Sequence, residues 1–208
     1  MAKSNEKQGI DASTEEKIKE AARVVFTRKG FVSTTVRDIA AEADINLALV
    51  NYYFRSKQKL FDLIMIETIE KLFSEIMVIV MDESTSLNKK IELIVDHYIG
   101  QLLNNPDFPL FIVNEILSGS NKFPAFIKNA AAIKGSYFFK QLNELNMDKE
   151  LEINPIHILM NIIGLIIFPF LGRRVLEKAA GVEEDDFRDL MEERKKLIPI
   201  WIGKIIEN

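Results

Sequence analysis

Residues 47–57 read Leu-Ala-Leu-Val-Asn-Tyr-Tyr-Phe-Arg-Ser-Lys. At about 100° per residue on a helix, Val50 and Phe54 share one face. Ala48, Leu49 and Tyr52 point the other way, with Asn51 and Tyr53 on the flanks. A short helix turning Ala, Leu, Asn and two Tyr outward is poorly matched to water and well matched to a nucleic-acid groove. Asn reads adenine through two hydrogen bonds, Ala and Leu meet a thymine methyl, and Tyr hydroxyls reach phosphates. Arg37, Arg55 and Lys57 surround this face with positive charge.

No other chemistry is as well provided for. The 208 residues contain no Cys, which removes disulfides, Cys nucleophiles and zinc-finger sites. Two His make no metal-ligand cluster. There is no His–carboxylate grouping and no Gly-rich phosphate loop, so the reading is of a protein that is not an enzyme, with no catalytic residue, metal or cofactor.

Taken as a single number, the whole-chain charge opposes a nucleic-acid partner. It holds 27 Lys and Arg against 31 Asp and Glu, a net −4, and the pI is about 5.4. Dividing the chain removes the conflict. Residues 1–57 carry ten basic and eight acidic side chains; residues 58–208 carry 17 and 23. A mildly basic head precedes an acidic body.

The elements that must position these residues are helices. Apolar residues recur at three and four, and no Asn-Gly or Asp-Gly hairpin signal occurs. The fold class expected is all-α. Ser13 with Glu16 predicts a capping box opening the first helix, and Gly30 its end. A second helix starts at Thr34-Thr35 with Asp38 as its cap. The tight turn Ala43-Asp44-Ile45-Asn46 leads to the third, Asp44 being tolerant of the left-handed conformation and Asn46 a good N-cap. Longer helices are predicted over about 57–82, 87–104, 110–117, 124–145, 155–180 and 183–206. Gly181 splits the last two, and Pro169 and Pro199 should kink or interrupt them. Two helices joined by so tight a turn describe a helix-turn-helix.

The stretches Ala21-Ala22-Arg23-Val24-Val25-Phe26-Thr27-Arg28-Lys29-Gly30-Phe31, Thr34-Thr35-Val36-Arg37-Asp38-Ile39-Ala40 and Asn51-Tyr52-Tyr53-Phe54-Arg55-Ser56-Lys57 resemble the DNA-binding domain of TetR-type transcriptional regulators. The resemblance covers about residues 14–61. It implies a helix-turn-helix DNA-binding domain over 1–56 and a helical effector-binding and dimerisation domain over 57–208. It further implies a homodimer on a palindromic operator. Leu47, Ala48 and Asn51 would meet base edges, and Thr35, Arg37, Tyr52, Tyr53 and Lys57 would hold phosphates. Asp44 stands where the family often has Gly, and Asn51 where it often has Tyr, so no operator sequence carries over.

In the body, Tyr98, Gln101, Asn114, Tyr137, His157 and Asn161 are polar groups on otherwise apolar helices, joined by His97. They are the candidates to line a small-molecule effector pocket; ordinary core or interface hydrogen bonding is the commoner role of such groups. Leu190, Met191, Leu197, Ile198, Trp201, Ile202 and Ile205 recur at helical spacing, and the resemblance places a dimer interface on the last two helices. The apolar run Pro155–Leu171 spans 17 residues, short of the roughly 20 a membrane helix needs, and no secretory stretch opens the chain. The expectation is a cytoplasmic, ligand-responsive repressor of double-stranded operator DNA with no membrane partner. The alternative is a nucleoid-associated or division-related DNA-binding protein without an effector.

Overall fold

The computed structural model describes residues 2–105, 107–117, 132–146 and 154–207. All regular structure among them is helical: α1 (Ala2–Ser33), α2 (Val36–Glu42), α3 (Leu47–Phe54), α4 (Lys57–Met81), α5 (Leu87–Asn104), α6 (Phe108–Leu117), α7 (Tyr137–Asn146), α8 (Pro155–Leu171), α9 (Arg173–Ala180) and α10 (Glu184–Glu207).

Two compact units result. The first takes in residues 1–68 and 105–107, the second residues 69–104 and 108–208. The sequence division falls where the helix-turn-helix ends, at residue 56. By contacts the first unit also includes the opening turns of α4 and a three-residue piece from between α5 and α6.

The first unit closes over Ile18, Ala22, Val25, Phe26, Ile39, Ala40, Val50, Phe54, Leu60 and Phe61, all buried. Ala40 and Ala43 are small enough for α2 and α3 to approach closely. The Phe26 and Phe61 rings meet edge-on at 5.1 Å, and Glu67 on α4 binds Lys19 at 2.9 Å and also Arg23, both on α1.

In the second unit α10 packs mainly along α5, and α8 touches α5, α6, α7, α9 and α10. Its core is aliphatic and aromatic: Ile91, Val95, Ile99, Leu102, Phe108, Phe138, Ile158, Ile162, Ile198 and Ile202. One cation is buried with them. Lys90 Nζ donates to Thr85 O at 2.6 Å and Gln141 Oε1 at 3.1 Å. Burial lowers its pKa.

Three boundaries differ from the sequence reading. The helix predicted to open at Ser13 begins at Ala2, so Ser13 and Glu16 lie within it; Lys, Glu and Gln before Ser13 favour helix and no proline stops it. The helix predicted over 124–145 is interrupted at Lys134-Gly135-Ser136, where the Ser136 hydroxyl donates to Ile133 O at 2.6 Å; its 124–131 portion lies outside the described residues. The helix predicted over 155–180 divides into α8 and α9, bent by 60°. The break falls at Gly172, three residues after Pro169. By contrast α10 continues across Pro199. No single described helix is long and apolar enough to cross a membrane; α8 and α9 pass only as a bent pair.

Candidate nucleic-acid interface

The second helix of the head is started by a reciprocal cap. Thr35 Oγ1 accepts the Asp38 N–H at 3.2 Å, and Asp38 Oδ2 accepts both the Thr35 N–H and its hydroxyl at 2.8 Å. Lys29 Nζ, 2.8 Å from Asp38 Oδ1, holds this carboxyl far below the usual carboxylate range, helped by the Thr35 N–H and hydroxyl.

The turn then uses its two special residues. Asp44 adopts φ 50°, a left-handed value that Asp tolerates better than most side chains. Asn46 Oδ1 accepts the Ala48 N–H at 2.8 Å, satisfying one of the free amides that open α3. Val50 and Phe54 are buried. Ala48, Leu49, Asn51 and Tyr52 are exposed, Tyr52 by 76%. Leu47 and Tyr53 are half-buried, and the Tyr53 ring meets Tyr52 edge-on at 5.3 Å. Arg37 is exposed on α2.

Residues 18–64 match the model of bacterial regulatory proteins of the tetR family. This stretch is a TetR-type helix-turn-helix domain. A protein of Bacillus subtilis (strain 168) named "Probable HTH-type transcriptional regulator YttP" is 26% identical over 202 residues, 94% of this chain and 95% of that one. Among solved structures, a protein of Mesorhizobium loti MAFF303099 assigned to the TetR family is 17% identical, with TM-score 0.59 over 93% of this chain and 96% of that one. A TetR/AcrR-family regulator of Thermobifida fusca YX-ER1 is 16% identical, with TM-score 0.55 over 89% and 96%. These two likenesses carry the fold.

In this TetR-type head the predicted site residues divide. Arg37, Ala48, Asn51 and Tyr52 are exposed, and Leu47 and Tyr53 are half-buried. Thr35 has given both its donors to Asp38. Lys57 is half-buried, and its ammonium donates to Phe31 O and Thr34 O, both at 2.7 Å, and lies 4.3 Å above the Phe31 ring.

The body of the chain holds a cavity of about 240 Å³ lined by Phe73, Ile94, Tyr98, Phe138, Ile162 and Ile166 among others. Of the six predicted effector residues only Tyr98 is in that lining. Burial pushes its phenol up to about 12. Asn114, His157 and Asn161 are exposed and Gln101 is half-buried. Tyr137 lies under two ammonium groups, Lys90 at 4.9 Å and Lys140 at 5.3 Å. His97 Nε2 is 2.6 Å from Glu75 Oε2. Periodicity found the polar residues but not which of them faces the cavity. Among the described residues no group of three or more His, Cys, Asp or Glu is arranged to hold a metal ion.

Proposed function

We propose that this chain is a ligand-responsive repressor, a homodimer released from a palindromic operator by a small, largely apolar effector. The observation that carries the DNA half is the outward face of α3. Leu47, Ala48 and Asn51 meet base edges there, and Tyr52, Tyr53 and Arg37 hold phosphates. Exposed Ala and Leu beside an Asn suit base edges better than water.

The effector half is supported by the apolar cavity. It exceeds the roughly 150 Å³ of a dry cavity that takes benzene. Its described lining offers a single polar group, Tyr98, which suits an effector oriented by one hydrogen bond. An effector acts only through its differential affinity for the two states of the dimer.

The dimer reading is supported by apolar side chains left outside the protomer. Met191, Ile198 and Ile202 of α10 are buried in the protomer's own core, whereas Leu190, Leu197, Ile200 and Ile205 are exposed, as are Phe168 of α8 and Val175 of α9. A set of this kind marks an interaction surface.

The test begins with selection from random-sequence duplexes. Enrichment of an inverted repeat, its half-sites about one helical turn or a multiple apart, is the expected result. A screen of lipophilic compounds, read by thermal shift with and without the selected duplex, tests the effector. A nucleoid-associated role predicts binding at many unrelated sites and no stabilising compound; that outcome would replace the repressor reading.

A further inference from the structure

The junction between α1 and α2 is held at one residue, Phe31, through the peptide units on either side of its Cα. Gly30 leaves helical geometry at φ 71° and ψ 166°, a region open essentially to glycine. The next residue, Phe31, donates its N–H to Asp107 Oδ2 at 2.6 Å, and its carbonyl accepts Lys57 Nζ at 2.7 Å. The same ammonium binds Thr34 O, while the Thr34 hydroxyl donates to Gly30 O at 2.7 Å. The Phe31 ring is packed 4.6 Å from Phe61. Asp107 comes from residues 105–107, which belong to the first unit although α5 and α6 on either side belong to the second.

We propose that Asp107 and Lys57 grip the two successive peptide units that flank Phe31 Cα as positioning residues for DNA recognition, and that Lys57 turns its charge into the fold instead of onto a phosphate. Carbonyls at a helix end lack intrahelical partners, and a cation there satisfies them and the helix dipole together. Two of the three ammonium donors are used in this way, and the ring of Phe31 lies against the charge. From Phe31 to the cap of α2 at Thr35 is four residues. Fixing both of those peptide units therefore fixes the angle at which α2 and α3 leave α1. Without the grip the head samples other angles. Its apparent affinity for operator then falls by the fraction still competent.

The test uses the full-length protein and a duplex that the wild type has selected from a random library. Affinity for that duplex and for a scrambled one is measured across salt concentrations, and exchange of the Phe31 amide is followed by NMR. Asp107→Ala should weaken the selected duplex about tenfold or more, the size of losing a hydrogen bond to a charged group, and the scrambled duplex far less. Phe31 exchange should accelerate. Asp107→Asn, which keeps an oxygen acceptor, should restore most of both.

Lys57→Ala should show the same loss of preference with an unchanged salt slope. Lys57→Gln, which keeps a donor without the charge, should recover part of the preference and serves in place of the alanine variant if that one does not fold. A phosphate contact predicts the opposite: both duplexes weaken alike and the slope drops by about 0.9. That result overturns the proposal for Lys57. Accelerated Phe31 exchange in Asp107→Ala with undiminished preference for the selected duplex overturns it for Asp107.

Discussion

Arg194 donates from Nη2 to the carbonyl of Leu165 at 2.7 Å. That carbonyl is the one Pro169 leaves without a helical partner, because proline four residues later has no amide hydrogen. A side chain of α10 thus completes the hydrogen bonding of α8. The guanidinium also lies 5.3 Å from the Trp201 ring, and burial lowers its pKa.

The pair can be separated by a double-mutant cycle. Arg194→Ala should destabilise the protein by about 1.5–3 kcal/mol, the range for a hydrogen bond from a charged donor. In a Pro169→Ala background the cost should shrink, because an alanine amide can serve Leu165 itself. Denaturant melts of the four proteins measure the coupling. Strict additivity would show that Arg194 acts through something other than that carbonyl.

The Thr35–Asp38 cap makes a pH prediction. Asp38 has a depressed folded pKa, so its contribution is present above its unfolded value of about 3.9 and is lost as pH falls below it. Asp38→Asn should therefore lower the melting temperature at pH 7, and the difference from wild type should shrink below about pH 4. A constant difference from pH 7 to pH 3 would mean that the carboxylate charge plays no part in the cap.

Base reading and phosphate holding should separate on α2 and α3. Asn51→Ala should cost about 1–3 kcal/mol on the selected duplex and relax the preference at one base pair. Arg37→Ala should weaken selected and scrambled duplexes alike and lower the salt slope by about 0.9. Titrations at three salt concentrations distinguish the two patterns. An unchanged specificity ratio in Asn51→Ala would remove it from the reading face.

Tyr98 lines the apolar cavity and is the one polar residue in its described lining. Tyr98→Phe should leave the unliganded protein as stable or slightly more so, since it removes a polar group from apolar surroundings. The same change should weaken a stabilising compound about fivefold, the size of one neutral hydrogen bond. Equal binding by wild type and variant would take the hydroxyl out of effector recognition.

Ile200 is 53% exposed on α10. Ile200→Glu should leave the helix content unchanged and shift the protein from dimer to monomer in light scattering. A dimer of undiminished stability would place the interface elsewhere.

Most of the head was legible in its residues because its signals are local. Thr35 and Asp38 are three apart, Asn46 caps the helix it precedes, and Asp44 sits where the chain must turn. Each needs only neighbours within a turn or two, so spacing is sufficient. The outward face of α3 followed for the same reason, since Val50 and Phe54 have to face the core. The opening of α1 was misplaced because a good cap sequence at Ser13 does not end a helix arriving from upstream. The interruption expected at Pro169 falls three residues later, at Gly172, because proline marks where a bond is lost, not where the chain bends.

What tertiary structure alone decided were contacts between residues far apart in sequence. Nothing in the neighbourhood of Lys57 reveals that its ammonium meets carbonyls 23 and 26 positions earlier. Nothing near Asp107 points to an amide 76 positions away. Likewise the six polar residues of the body all sit on apolar helices, and only the packing of α4 to α8 determines that Tyr98 faces the cavity. Helical periodicity specifies a face. Which neighbour that face meets depends on how the helices are assembled, and hydrophobic burial is too undirected to encode it locally.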